Sequence, residues 1–187
     1  IMKPISRPPR HHWSNERTAT RLTHAGKPID ALAGTVSPPV YHFSTVTHES
    51  QEIYEAAGVQ RFDNLLYGRL GSPTTWALEE ALCELEGAAD CVLAPSGLAA
   101  IQLALFATLN AGDHVLVADS VYAPVRNLCK RVLPRFGIEP QFYDPKLGAE
   151  IESLFRPNTR VVYVESPGSQ TFELQDIPAI AAVTHRH

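Results

Sequence analysis

Residues 91–118, CVLAPSGLAAIQLALFATLNAGDHVLVA, decide the fold. Cys91-Val92-Leu93-Ala94 is a short apolar run halted by Pro95 and reads as a buried strand. Helix is expected from Gly97 to about Leu109, ended by Ala111-Gly112-Asp113, and His114–Ala118 (HVLVA) is a second strand. Downstream the alternation continues: a helix from Val121 to Phe136 closed by Gly137, a strand at Gln141–Tyr143, a short helix from Gly148 to Phe155 and a strand at Arg160–Val164. A last helix is expected over Asp176–His187, with Ile177, Ile180, Ala181 and Thr184 on one face. Strands alternating with helices need right-handed crossovers, so the expected class is α/β with a mainly parallel sheet covered on its faces. Upstream, Ser72-Pro73 opens a helix with an N-cap residue and a first-turn proline. Leu78, Leu82 and Leu85 recur along it, and Gly87 stops it.

The first 59 residues read differently, as an arm preceding a domain that begins at residue 60. Six of the fifteen prolines (Pro4, Pro8, Pro9, Pro28, Pro38, Pro39) fall within the first 39 residues, which also carry a local balance of +4. Such a stretch, without helical or strand period, cannot bury its own surface. A solvated tail is the competing reading for residues 1–16. Val40, Tyr41, Phe43 and Val46 do want burial, and an arm without a core can find it on another subunit. Ile1 precedes Met2 and the last helix has no stop signal, so both ends look cut.

The 187 residues carry a net charge of −4, against a nucleic-acid partner, which needs a concentrated basic surface. Three cysteines (Cys83, Cys91, Cys129) without CxxC spacing argue against a disulfide framework or a zinc site. No apolar run reaches the roughly 18 residues of a membrane span, since Gln102 breaks the longest, and no signal-like stretch opens the sequence. A cytoplasmic protein without membrane or metal is expected.

In open α/β sheets ligands gather at the carboxyl ends of the strands. There stands Pro95-Ser96-Gly97-Leu98, small residues opening a helix whose N–H groups suit a phosphate. A tightly packed helix start is the competing reading. The tetrapeptide is neither GxGxxG nor a Walker loop, and Ser96 is not in a GxSxG elbow. After the second strand, Tyr122 could stack on a flat heteroaromatic ring or serve as a half-buried anchor. Glu165-Ser166-Pro167-Gly168-Ser169 follows the last strand, and Tyr67-Gly68-Arg69 pairs a phenol with a guanidinium that can fork onto an anion.

In order along the chain, Tyr67-Gly68-Arg69, Leu82-Cys83-Glu84-Leu85-Glu86-Gly87, Ser96-Gly97-Leu98-Ala99-Ala100, Gly112-Asp113-His114-Val115 and Glu165-Ser166-Pro167 resemble the pyridoxal-phosphate enzymes of cysteine and methionine metabolism, over about residues 18–187. The usual Tyr-Ser-Arg and Asn-Pro-Thr of that family are here interrupted by Gly68 and Ser72. Those departures, with Phe142-Tyr143-Asp144-Pro145 and Gly168-Ser169, look most like its cystathionine β-lyase branch. The resemblance implies a large domain of the aspartate-aminotransferase-like, fold type I architecture and pyridoxal 5′-phosphate as cofactor. It implies that Ser96, Gly97 and Leu98 hold the cofactor phosphate and that Tyr122 stacks on the pyridine ring. Tyr67 and Arg69 would reach the phosphate of a neighbouring subunit's cofactor, within a homotetramer built from two dimers. The implied reaction is β-elimination of cystathionine; a γ-lyase or γ-synthase of the same family, or a non-catalytic oligomerisation fragment, are the alternatives. Family members run to about twice this length, and the implied cofactor-bearing lysine matches none of Lys3, Lys27, Lys130 and Lys146. The 187 residues alone are expected to be inactive.

Overall fold

The computed structural model describes residues 6–7, 17–26 and 35–187. Pro4, Pro8, Pro9 and Pro28, Lys3 and Lys27, and most of the tail expected over residues 1–16 lie outside the described residues. The chain gathers into two compact units, Ile1–Leu93 and Ala94–His187.

The first unit carries α1 (Thr18–His24), α2 (Gln51–Val59) and α3 (Pro73–Glu86). Neither α1 nor α2 is legible in hydrophobic period; α1 lies inside the Pro-rich first 39 residues and α2 beyond them. Short helices are marginal alone and need tertiary contact. For α1 that contact is α3, where Arg21 Nε donates to Glu84 Oε1 at 2.5 Å. Ser50 caps α2 by accepting from the Ile53 amide. α3 begins as its sequence predicts: Ser72 and Thr75 exchange hydrogen bonds in a capping box, Pro73 follows, and Gly87 closes the helix in the left-handed conformation at φ 63°. Its buried face is not the leucine stripe. Leu78 and Leu85 are exposed, while Trp76, Ala77 and Cys83 are buried, and α1 with its C-terminal turn packs on the Ala77 side. Gly26 there approaches the Ala77 carbonyl so closely that no Cβ would fit.

The second unit carries α4 (Gly97–Thr108), β1 (His114–Ala118), α5 (Ala123–Asn127), β2 (Glu139–Tyr143), β3 (Thr159–Tyr163) and α6 (Ile177–Thr184). The three strands form one parallel sheet in the order β2-β1-β3. β1 is buried at all five residues, as befits a central strand covered on both faces. On one face α4, α5 and the helical turns after it enclose Leu105, Leu109, Val121, Val125, Leu128 and Leu133 against Val115 and Val117. On the other, Ile151, Ile180 and Val183 pack on Leu116, Ala118 and Tyr143.

Two local expectations are corrected. Cys91–Ala94 forms no strand, and Val92 and Leu93 are exposed. Its residues suit an interior strand, but a strand exists only by pairing, and this run pairs with none of the three described strands. The single helix expected over Val121–Phe136 is α5 followed by a π turn at Leu128–Val132 and a 3-10 turn at Leu133–Phe136. Pro134 lacks the N–H that would bond four residues back and its ring crowds that carbonyl, so the ladder shifts register around it. Among the described residues no helix is long and apolar enough to cross a membrane.

Candidate functional site

A parallel sheet puts every strand's carboxyl end on one side, and the candidate residues of the second unit stand there. Ser96 caps α4: its side chain accepts from the Ala99 amide at 3.1 Å, and its carbonyl accepts from Ala100. The cap satisfies the third amide of the turn and leaves those of Gly97 and Leu98 as the outward donors, where the helix dipole favours negative charge. A Cβ built on Gly97 would meet nothing within 4 Å. Packing therefore does not demand glycine here, and the space over the turn is open to a ligand. Leu98 packs against the core that contains Val121 and Val125, tying this turn to the one that carries Tyr122.

Tyr122 caps α5 and is 48% exposed, which leaves part of its side chain open at the rim. Its backbone is held: the Tyr122 amide donates to Glu165 Oε1 at 3.0 Å, while Tyr163 Oη donates to Glu165 Oε2 at 3.4 Å. Burial and the nearby Glu165 carboxylate push the Tyr163 phenol up to about 12, so it stays a donor at neutral pH. The turn after β3 also clasps the turn after β1. Ser169 N donates to the Ser120 carbonyl at 2.8 Å, and a Cβ on Gly168 would lie 2.6 Å from that of Ser120. Arg126 binds the Asp119 carboxylate at 2.5 Å and covers the Phe142 ring.

Tyr67 and Arg69 lie in the first unit, both exposed, with the guanidinium 5.6 Å from the phenol ring centroid. Tyr67 bridges Thr45, and the Gly68 amide donates to the Ser44 carbonyl at 2.7 Å. A Cβ on Gly68 would lie 3.0 Å from the Phe43 carbonyl carbon, with its oxygen nearer still. The glycine that interrupts the usual Tyr-Ser-Arg is thus required by a close backbone approach.

Sequence reasoning missed the ion pair of Asp119 and Arg126, and also Gln175, whose side chain joins the end of β2 to the turn after β3. No cluster of metal-ligating side chains occurs among the described residues. Lys130 and Lys146 are exposed, the first beside Phe142 and the second in a turn.

A parallel sheet with a helix start that offers two amides, and a part-exposed tyrosine on the same rim, defines an α/β protein whose rim offers donors suited to an anion. The chain belongs to the Cys/Met metabolism PLP-dependent enzyme family, whose pattern it matches over residues 19–187. Pyridoxal 5′-phosphate is the cofactor of that family, and the open turn at Gly97 and the exposed ring of Tyr122 fit it. The chain is 50% identical over 168 residues to a Rhizobium johnstonii protein provisionally named a cystathionine beta-lyase, covering 90% of this chain and 41% of that one. It is 38% identical over 170 residues to the Escherichia coli cystathionine beta-lyase MetC, covering 90% and 43%. The structure of cystathionine gamma-lyase from Lactobacillus plantarum complexed with L-serine superposes with a TM-score of 0.80 at 31% identity, covering 92% and 42%. The chain spans less than half the length of these relatives.

Proposed function

We propose that these residues are part of a cytoplasmic carbon–sulfur lyase of methionine biosynthesis that splits L-cystathionine by β-elimination into homocysteine, pyruvate and ammonia. The observation that carries the reading is the first turn of α4, where two amides face open space beside the turn of Tyr122. In this reading Gly97 and Leu98 donate their N–H groups to the cofactor phosphate, and Ser96 fixes the turn that presents them. Tyr122 covers one face of the pyridine ring and excludes water from it. Tyr67 and Arg69 bind the phosphate of a partner subunit's cofactor, Arg69 by its guanidinium fork and Tyr67 by its hydroxyl. The segment before α3 then serves subunit contacts, within a homotetramer of two dimers. When bound, pyridoxal phosphate supplies an electron sink for the charge left at the substrate α-carbon.

Among the described residues the lysines are Lys130 and Lys146, both exposed, and neither matches the cofactor-bearing lysine that the resemblance implies. This stretch alone is therefore inactive, and the complete gene product is the enzyme. The similarity to a cystathionine gamma-lyase keeps a second reading, cleavage on the γ side. Product analysis separates them. Cystathionine given to the complete protein with pyridoxal phosphate should yield pyruvate and homocysteine. Production of 2-oxobutyrate and cysteine would replace the β reading with the γ one. No product from the complete protein, with no visible cofactor band, would leave a non-catalytic oligomerisation module.

A further inference from the structure

We infer that Gln175 is a positioning residue that sets the Tyr122 turn through Glu165. Gln175 stands in the segment between β3 and α6, is only 8% exposed, and uses every polar group it has there. Its Oε1 accepts from Tyr143 Oη at 2.7 Å, its Nε2 donates to the Glu165 carbonyl at 2.8 Å, and its backbone N–H donates to Ser166 Oγ at 2.9 Å. One buried amide thus ties the end of β2 to both residues that open the rim turn after β3. Glu165, so held from behind, spends its carboxylate forward on the Tyr122 amide and on Tyr163 Oη.

The geometry gives the chain of contacts a direction. Gln175 reaches the main chain of Glu165, which leaves that side chain free to fix the main chain of Tyr122. The Tyr122 ring is itself exposed, so its position rests on this backbone hydrogen bond and on the packing of its neighbours Val121 and Val125. A buried side-chain amide between two strand ends also recruits a fully satisfied network, in which losing one partner strands the others. The second buried contact, from Tyr143 Oη, orients the Gln175 amide but does not lie between Gln175 and Tyr122.

The inference rests on Tyr122 as the ring-stacking residue only for its consequence in cofactor binding. Its core is tested without any cofactor, on the complete gene product freed of pyridoxal phosphate. Gln175→Met keeps the side-chain length and removes both side-chain hydrogen bonds; Tyr143→Phe removes one and keeps the link to Glu165. Residue-resolved amide hydrogen exchange should show the Tyr122 amide exchanging about five- to ten-fold faster in Gln175→Met. The Val117 amide of β1 should be unchanged, and Tyr143→Phe should leave Tyr122 as in the wild type. Unchanged Tyr122 exchange in Gln175→Met, or acceleration equal at Tyr122 and Val117, would overturn the inference in favour of a purely structural amide. With pyridoxal phosphate added, Gln175→Met should weaken binding about five-fold and Tyr122→Leu at least as much. Full affinity in Tyr122→Leu together with fast Tyr122 exchange in Gln175→Met would overturn the stacking role while upholding the positioning one.

Discussion

Glycine to alanine at two positions of the first unit should act with opposite signs. At Gly68 the new methyl would lie 3.0 Å from the Phe43 carbonyl carbon and 3.3 Å from Cδ2 of its ring, with the carbonyl oxygen nearer still. Real Cβ atoms do not approach so closely, and the obstacle is backbone, so the segment Phe43–Thr45 must move away. That movement breaks the 2.7 Å bond from the Gly68 amide to the Ser44 carbonyl. Overpacking costs about 1–3 kcal/mol, and losing a backbone hydrogen bond adds about 1 kcal/mol. Alanine stiffens the unfolded chain and returns about 0.4–1 kcal/mol, leaving Gly68→Ala about 1–3 kcal/mol less stable. At Gly58, inside α2, nothing lies within 4 Å of the new methyl. Gly58→Ala should therefore stabilise by about 0.5–1 kcal/mol through helix propensity alone. Urea unfolding followed by tryptophan fluorescence reads both, since Trp76 is buried in the same unit. Equal effects of the two substitutions, or a neutral Gly68→Ala, would refute the close approach that explains Gly68 in the Tyr67-Gly68-Arg69 motif.

His114 is fully buried with Nδ1 2.8 Å from Thr159 Oγ1, and burial, with the Arg156 charge, holds its pKa below the ordinary 6.5. The unfolded chain then takes up the proton more readily, so this stability is complete above about pH 6.5 and lost as pH falls through the folded pKa. Urea midpoints should decline between pH 7 and pH 5, and His114→Gln should flatten that decline. Ser72→Ala removes one half of the α3 capping box and should lower stability by about 1 kcal/mol in the same urea assay. Burial pushes the Cys129 thiol up to about 11, so at pH 8 iodoacetamide should spare Cys129 and reach the half-buried Cys91 first, as peptide mass mapping would record.

What the sequence made legible is what local chemistry decides. Ser72, Pro73 and Gly87 bound α3 because caps and prolines act within a few residues of themselves. His114–Ala118 is legible because the four apolar residues after His114, set between turn signals, suit a buried strand. The Ser96-Gly97 helix start is legible for the same reason. Non-local decisions were hidden. Cys91–Ala94 carries a strand's composition, but composition does not supply a partner. The leucines of α3 look like its buried stripe, yet Trp76, Ala77 and Cys83 are buried instead, Ala77 beneath the turn after α1, a helix too short to announce its period. Pro134 was visible, but the register shift of the ladder around it is a property of the helix it interrupts. Gln175 reads as an ordinary polar residue ahead of a helix, and its role exists only once β2 and the turn after β3 lie side by side.

The central claim is that the first turn of α4 holds a phosphate, and Gly97→Val tests it most directly because nothing packs against Gly97. Titration of the cofactor-free complete protein with pyridoxal 5′-phosphate, beside urea unfolding of the same sample, separates ligand from fold. The account predicts affinity reduced about ten-fold or more, because the valine side chain fills the space over the Gly97 and Leu98 amides, with stability within about 0.5 kcal/mol of wild type. Wild-type affinity in Gly97→Val would contradict it, and so would a loss that appears only in step with unfolding.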